Sequence, residues 1–209
     1  PSGQTCSDGR CVCRPLTCSD VPGGCGTHED GCGGSISCGS CVPQCFVTGT
    51  LVALADGTSK PIERIEIGDL VLGRGGRVNR VLGLERPTLG HRPLYALNGG
   101  RAFVTGGHPF WTAGGWKAVD TAAAAIEIPR LRVGQLAVGD RLTHLAAVRV
   151  PACVGRGISV EPVEVRQGEI VLEAVTGGSA DPATQLYNMR VDGDHTYFAD
   201  DWLVHNKSS

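Results

Sequence analysis

Three short stretches of this 209-residue chain carry side chains suited to covalent chemistry. Cys45 supplies a thiol, whose thiolate form attacks carbonyl carbons. Near the other end, His205 and Asn206 place a proton-transfer group beside an amide that can attack its own backbone carbonyl. Thr105 and His108 lie between these sites, three residues apart. This pattern indicates chemistry on peptide bonds at the two ends of one segment.

The chemistry open to Cys45 is an acyl shift. Its thiol lies next to the carbonyl of Gln44, and attack there moves the acyl group from nitrogen to sulfur, giving a thioester that reacts with water or another nucleophile. An amide nitrogen leaves poorly, so the step needs an acid and a strained bond. Asn206 can close on its own carbonyl as a succinimide and cut the bond to Lys207, if that carbonyl is polarised and the leaving amine is protonated.

The composition predicts the kind of scaffold that positions these residues. With 31 Gly, 12 Pro and 5% aromatic residues, the chain favours turns and short strands over long helices. A net charge of -2 gives no indication of a nucleic-acid partner. No run approaches the ~20 apolar residues of a membrane helix, so we expect no membrane partner either. Because Pro1 is not followed by a basic and then apolar leader, we expect a signal peptide to be absent or already removed.

Residues 1–44 differ in composition from the rest of the chain. They hold eight of the ten cysteines and few large apolar residues, so this segment cannot bury a core and must be cross-linked. An even number of cysteines in a short loop-rich segment predicts disulfides in an oxidising compartment, and we expect a secreted or cell-surface protein. The segment also resembles short cysteine-rich units of secreted bacterial proteins. Its disulfide pairing stays open.

Zinc binding is the alternative use of these cysteines. Cys38-Gly-Ser-Cys41 has the spacing of a zinc half-site. A second C-x-x-C pair is missing, and His28 is the only histidine in the segment. We therefore expect disulfides and no metal.

The chain from residue 45 onward predicts an all-β domain. Residues 51–54 and 78–84 predict strands, apolar residues alternate over 186–191, and turn residues separate these runs. Asn98-Gly99-Gly100 between two apolar runs is a hairpin signal. Residues 122–125 predict one helical turn, which Pro129 ends soon afterwards.

An internal sequence repeat predicts a duplicated fold. Residues 65–72 match residues 136–143, with Gly68-Asp69 aligned on Gly139-Asp140. Each copy has an apolar alternation that ends in a Gly-Asp turn. The match predicts two related halves and a pseudo-two-fold arrangement of strands.

Four sequence blocks in order resemble those of the Hint superfamily, the hedgehog/intein self-processing domains. They are Cys-Phe-Val-Thr-Gly-Thr at 45–50, Thr-Gly-Gly-His-Pro-Phe-Trp at 105–111, the stretch 188–198, and Val-His-Asn at 204–206. The resemblance covers 45–206, and the ending is most similar to A-type bacterial intein-like domains. It implies an all-β horseshoe with internal duplication, flanked by the cysteine-rich module at 1–44 and a C-terminal flank at 207–209.

The resemblance also assigns roles to single residues. His108 would protonate or polarise the Cys45 nitrogen, and Thr105 would orient it. His205 and His195 would assist the cyclisation of Asn206. The family needs no cofactor or metal for these steps.

Two positions depart from the intein pattern. Splicing inteins have Cys, Ser or Thr after the final Asn, whereas this chain has Lys207, so cleavage at both ends is expected, with ligation only in low yield. Many inteins place an acid at the position of Asn188, which cannot act as a base. Asp194, beside His195, is the candidate replacement.

The function predicted from these motifs is single-turnover self-processing. Its substrates would be the chain's own flanking sequences, with water, a thiol or an amine as external nucleophile, and we expect a monomer. Two alternatives stay open: a cysteine-rich binding module joined to an inactive Hint scaffold, and a hedgehog-like transfer of the thioester to an external nucleophile. The closing His205-Asn206 pair speaks against the second, because that route needs no C-terminal asparagine.

Overall fold

The computed structural model describes residues 4–7, 10–17, 20, 27–37, 44–149 and 163–206, in two compact units, 1–43 and 44–209. The first unit contains two small hairpins, β1 (Gln4–Ser7) with β2 (Arg10–Cys13) and β3 (Thr27–Glu29) with β4 (Ser35–Ser37). A disulfide joins Cys13 and Cys32. It confirms disulfide cross-linking in this unit, while the Cys38–Cys41 half-site lies outside the described residues.

The second unit is built almost wholly from short strands, which confirms the all-β prediction. Its strands are β5 (Phe46–Val47), β6 (Leu51–Ala53), β7 (Ser59–Pro61), β8 (Leu70–Leu72), β9 (Val78–Glu85), β10 (Leu94–Leu97), β11 (Val104–Thr105), β12 (Phe110–Thr112), β13 (Gly115–Ala118), β14 (Gly134–Gln135), β15 (Arg141–Arg149), β16 (Val163–Val171), β17 (Val175–Gly178), β18 (Leu186–Val191), β19 (Thr196–Ala199) and β20 (Trp202–His205). Across the described part of the chain, the α-helical residues are those of α1 (Thr121–Glu127), and single 3-10 turns occur at Ile62–Arg64 and Arg74–Gly76.

Two sheets hold the strands of this unit. One runs β17-β10-β11-β5-β18-β9-β8, and the other β14-β13-β12-β15-β20-β19-β6-β7 with β16 paired to β15. The described strand pairs in these sheets are all antiparallel except β13–β14. The first strand, β5, lies between β11 and β18, and the last, β20, lies beside β12, β15 and β19. Both ends of the segment are therefore held inside the sheets.

Large buried side chains from both sheets form one main core. Phe46 from β5 packs edge-to-face on Tyr197 from β19 with ring centroids 6.2 Å apart, and Phe103 packs on Phe110 in the same manner at 6.4 Å. Met189 from β18 is fully buried in this cluster. Core packing thus fixes side chains that lie close in sequence to the predicted reactive residues, such as Phe46 next to Cys45.

The predicted duplication is visible in matching turns. Gly68 and Gly139 both have positive φ angles, 98° and 95°, which suit glycine. The backbones of Gly68 and Asp69 bond Val81, and those of Gly139 and Asp140 bond Leu172 in the same pattern. Each aspartate also pairs with a lysine from a neighbouring strand, Asp69 with Lys60 at 2.8 Å and Asp140 with Lys117 at 2.5 Å.

Local elements follow the sequence signals with small differences. The Asn98-Gly99 turn joins the antiparallel strands β10 and β11, with Asn98 and Gly99 both at positive φ. The helix is longer than the single turn predicted. The Asp120 side chain caps its start by accepting a hydrogen bond from the Ala123 N–H at 2.9 Å. Within the described residues, no helix has the length and apolar character to span a membrane.

Candidate active site

The candidate nucleophile, Cys45, is fully buried at the start of β5. Its side chain packs in a small apolar cluster with Leu89, Leu94 and Leu186. Burial in this cluster raises the pKa of the thiol, with the charges of Glu127 and Glu85 adding to the rise and Arg92 opposing it. The resting group at neutral pH is therefore the thiol, and a proton acceptor is required to use it.

Thr105 holds the backbone of Cys45 on both sides. The Cys45 N–H donates to the Thr105 hydroxyl at 2.8 Å, and the Thr105 N–H donates to the Cys45 carbonyl at 3.0 Å. Thr105 ends β11, which lies next to β5, so strand pairing sets this geometry. The amide nitrogen that must leave in an acyl shift is thus already in contact with Thr105.

Gln44 is part of the site through its side chain, which the sequence-based reasoning missed. Its N–H donates to Glu127 Oε2 at 2.7 Å. Its Oε1 accepts hydrogen bonds from the Thr105 hydroxyl and from the Gly107 N–H, both at 2.9 Å. Glu127 was also missed; the helix that carries it starts after Asp120, a residue that the sequence offers as a helix cap.

His108 lies one turn after Thr105, and its N–H donates to the Thr105 carbonyl at 3.3 Å. Its ring packs on Phe46 with centroids 4.2 Å apart. Both ring nitrogens are buried without a hydrogen-bond partner among the described residues. Burial, and secondarily repulsion from His205, lowers the pKa of His108 to about 3, so the imidazole is neutral and has an open acceptor nitrogen.

At the other end, Asn206 is buried immediately after β20. Its N–H donates to the His195 carbonyl at 2.8 Å, and its side-chain Nδ2 donates to the Met189 carbonyl. Asn206 Oδ1 is buried with no partner in the described part of the chain. The side chain is confined against the backbone of β18, close to its own main chain.

His205 is held by β12 and by packing. Its N–H donates to the Pro109 carbonyl at 3.1 Å, and its ring meets Trp116 edge-to-face at 5.0 Å. Burial lowers the pKa of His205 to about 4. His195 has a left-handed φ of 57°, its Nδ1 is 2.9 Å from the Val191 carbonyl, and its ring centroid lies 6.1 Å from that of His205.

The two supporting candidates, Asn188 and Asp194, each accept hydrogen bonds from nearby groups. Asn188 Oδ1 accepts from the Met189 N–H at 2.9 Å and from the Tyr197 hydroxyl at 3.3 Å. Asp194 Oδ1 accepts from Asn79 Nδ2 at 2.7 Å and from the Thr196 hydroxyl at 2.9 Å. Asp194 thus braces the turn between β18 and β19. Lys207 lies outside the described residues.

Strand β18 brings the two ends of the segment together. Phe46, next to Cys45, is paired with Tyr187 of β18, and the Asn206 side chain bonds the Met189 carbonyl two residues further along. Two residues of a strand span roughly 7 Å. Among the described residues, no cluster of three or more His, Cys, Asp or Glu side chains is arranged to hold a metal ion.

Comparisons with known proteins identify relatives of this segment. The family model described as Hom_end-associated Hint matches residues 45–98. The V-type proton ATPase catalytic subunit of Candida tropicalis is 45% identical over 53 residues, which are 25% of this chain and 5% of that protein. The chain therefore spans only a small part of this relative.

Solved inteins share the fold. A DnaB intein from Synechocystis sp. PCC 6803 has a TM-score of 0.50 and 16% identity, over 79% of this chain and 99% of that one. A mutant of the Ssp DnaB mini-intein has a TM-score of 0.52 and 15% identity, over the same shares. The family match and the shared fold support self-processing in general.

Proposed function

We propose that this chain, which belongs to the Hint superfamily, cuts its own backbone at the two ends of residues 45–206. The observation that carries the proposal is the hydrogen bond from the Cys45 N–H to the Thr105 hydroxyl, beside a buried thiol and a neutral His108. Thr105 contacts the leaving nitrogen, and His108 lies on the same turn and packs on Phe46, the residue after the nucleophile.

At the N-terminal end, the sulfur of Cys45 bonds the Gln44 carbonyl carbon while the thiol proton is relayed through His108, which protonates the Cys45 nitrogen. The carbon–nitrogen bond breaks as the Cys45 nitrogen receives this proton. The products are a thioester and a free amine with the same atoms as before, so no co-reactant is needed. Because burial disfavours the charged form of His108, the ring does not remain protonated. Thr105 keeps the leaving nitrogen in place.

At the C-terminal end, the Asn206 side-chain nitrogen bonds its own backbone carbonyl carbon, and the bond to Lys207 breaks. A proton passes from the attacking nitrogen to the leaving amine, with His205 as the carrier. Nδ2 must first leave the Met189 carbonyl that it now contacts. Since Lys207 has neither thiol nor hydroxyl to receive an acyl group, separate cleavage at both ends is the outcome, as in A-type bacterial intein-like domains.

The proposed setting is outside the bacterial cell. The Cys13–Cys32 disulfide is consistent with an oxidising compartment. The chain acts as a monomer on its own flanking segments, and water, a thiol or an amine consumes the thioester. Release of the cysteine-rich module, or its transfer to an amine, is then the biological result.

Intact mass over time tests the proposal, with purified wild type compared to Cys45→Ala and Asn206→Ala, each with and without added thiol. Wild type is expected to lose residues 207–209 and, on addition of thiol, to release residues 1–44. Cys45→Ala blocks only the 44–45 bond, and Asn206→Ala blocks only the 206–207 bond. His91→Ala, at an exposed position, is the matched control and is expected to cleave at both ends.

A single unchanged mass for wild type, with and without thiol, would contradict self-processing. That result would favour an inactive scaffold attached to a binding module. Cleavage of the 44–45 bond in Cys45→Ala would contradict the assignment of the nucleophile.

A further inference from the structure

The side chain before the nucleophile lies in a pocket of its own. We propose that this domain contains a binding pocket selective for glutamine at position 44, and that an occupied pocket speeds the acyl shift. The second part rests on the self-processing function proposed above. The substrate class is a chain in which glutamine directly precedes the nucleophilic cysteine.

The contacts of Gln44 match a carboxamide. Only 7% of the residue is exposed. Its Oε1 accepts from the Thr105 hydroxyl and from the Gly107 N–H, each at 2.9 Å. Without this acceptor, the Gly107 N–H would stay buried and unpaired, which is costly, and the Thr105 hydroxyl would keep only the more distant Cys45 carbonyl at 3.3 Å. A pocket that holds an acceptor with two donors discriminates strongly against side chains that lack one.

Gly107 makes room for this side chain. A Cβ at residue 107 would lie 2.5 Å from Gln44 Cδ and 2.9 Å from the Ala123 Cβ. Real Cβ atoms do not approach that closely, so a larger residue would displace the Gln44 carboxamide. The wall of the pocket is therefore the backbone of the Thr105–His108 turn together with α1.

Other side chains of similar size fit less well. Methionine has the length of glutamine but no carbonyl oxygen, and asparagine is shorter by one methylene group. Glutamate would bring a second carboxylate to a buried site whose backbone N–H already contacts the carboxylate of Glu127 at 2.7 Å. The pocket therefore ranks glutamine above all three.

The pocket is joined to the chemistry through the Thr105 hydroxyl. That hydroxyl has a single proton, which it donates to Gln44 Oε1, leaving a lone pair to accept from the Cys45 N–H at 2.8 Å. Without Gln44, the hydroxyl can turn its proton to the Cys45 carbonyl, 3.3 Å away. Gln44 is thus a positioning residue that orients Thr105 on the leaving nitrogen.

Rates of thiol-induced cleavage at the 44–45 bond test the selectivity. Gln44→Met, Gln44→Asn and Gln44→Ala are expected to slow cleavage roughly 10- to 100-fold relative to wild type. Cleavage at Asn206, followed in the same samples, should stay within about twofold. Gln135→Ala removes an exposed glutamine and is the matched control. Gln44→Met cleaving at the wild-type rate overturns the proposal.

Gln44→Glu tests recognition of the carboxamide through the pH dependence of the cleavage rate, which a purely structural role of Gln44 would leave unchanged. Once protonated, the glutamate again offers a neutral carbonyl oxygen to the Gly107 N–H. The ratio of the Gln44→Glu rate to the wild-type rate should therefore rise as the pH falls. A ratio that is flat with pH counts against recognition of the carboxamide.

Thermal unfolding in a Cys45→Ala background separates this proposal from self-processing. There, Gln44→Met should lower the Tm by roughly 2–8 °C more than Gln135→Ala does. If wild type never cleaves, the proposed function fails, and this comparison alone decides whether the pocket binds glutamine selectively. Equal Tm values for the two variants overturn the pocket.

Gly107→Ala adds a test of the contact itself. In the active chain, Gly107→Ala alone should slow cleavage by displacing Gln44. Combined with Gln44→Ala, it should add little further loss, because the side chain that it displaces is already gone. Fully multiplicative effects of the two changes would contradict a direct contact.

Discussion

The two ends of the segment 45–206, the proposed cleavage junctions, are built differently. At the N-terminal junction, Gln44 and Cys45 are held by directed hydrogen bonds to Thr105, Gly107 and Glu127. At the C-terminal junction, Asn206 Oδ1 and His205 Nδ1 are buried without partners among the described residues. The first bond is therefore positioned by hydrogen bonds to the side chains of Thr105 and Glu127, and the second by hydrogen bonds to backbone carbonyls and by packing against Trp116.

The two junctions share one property, a histidine kept neutral by burial. The pKa is lowered to about 3 for His108 and to about 4 for His205. A neutral imidazole has one N–H donor and one acceptor nitrogen, so it can relay a proton between two groups without remaining charged. In the proposed reactions, each junction has its own proton carrier, although the surroundings differ.

Among the predicted changes, replacing His108 or His205 separately should have the largest effect on the cleavage rates at the two junctions. We expect His108→Ala to slow thiol-induced cleavage at the 44–45 bond by about 100-fold or more, because the thiol then lacks its proton acceptor. His205→Ala should slow cleavage at Asn206 by a similar factor. Intact mass reports both reactions in one sample.

The comparison predicts a reciprocal pattern, in which each variant spares the other junction. His91→Ala, at an exposed position, controls for the loss of a histidine as such. If His108→Ala and His205→Ala each slowed both reactions equally, the two histidines would form one coupled site, and the distinction between the junctions would not hold.

Much of the candidate site could be predicted from sequence because its residues are rigidly tied to local motifs. Thr105 and His108 belong to one turn, and His205 and Asn206 end one strand, so the blocks carry their own geometry. The duplicated Gly-Asp turns were equally readable, since a positive φ favours glycine and the aspartate pairs with a nearby lysine.

Long-range contacts escaped prediction for a physical reason. Glu127 reaches Gln44 across 83 residues of sequence, a contact that no short pattern specifies. Asp194 lies beside His195 in sequence, yet its carboxylate bonds Asn79 and Thr196. Tertiary pairing therefore sets the hydrogen-bond partners of Glu127 and Asp194, and neighbours in sequence do not.

Folding stability should depend on pH through the two buried histidines, a smaller effect than loss of activity. Because their pKa values lie below the 6.5 of an ordinary histidine, the unfolded chain binds more protons than the folded one below pH 6.5. Stability is full above pH 6.5 and falls as the pH drops towards 3. His108 alone accounts for a loss on the order of 4 kcal/mol by pH 3.5.

Chemical denaturation of the Cys45→Ala chain at a series of pH values measures this slope. Adding His108→Gln should flatten the decline between pH 6.5 and 3.5, since glutamine does not titrate there. Adding His91→Gln instead should leave the decline as in the parent chain. An identical slope with and without His108 would show that the pKa of its ring is the same in the folded and unfolded chains, and burial would then not keep this histidine neutral.

Glu127→Gln should have the smallest effect, and only at the N-terminal junction. The Glu127 carboxylate holds the Gln44 N–H and, after burial itself, contributes to the raised pKa of the Cys45 thiol, while Arg92 acts in the opposite direction. Neutralising Glu127 leaves Arg92 to act more strongly, so the pH–rate profile of thiol-induced 44–45 cleavage should move to lower pH. The maximal rate should fall by only about two- to fivefold, because a neutral amide still accepts from Gln44, though more weakly.

Glu66→Gln at an exposed position is the control, and Asn206 cleavage should not change. A profile that stays in place would mean that desolvation alone sets the thiol pKa, and the N-terminal junction would then resemble the C-terminal one, where burial sets protonation.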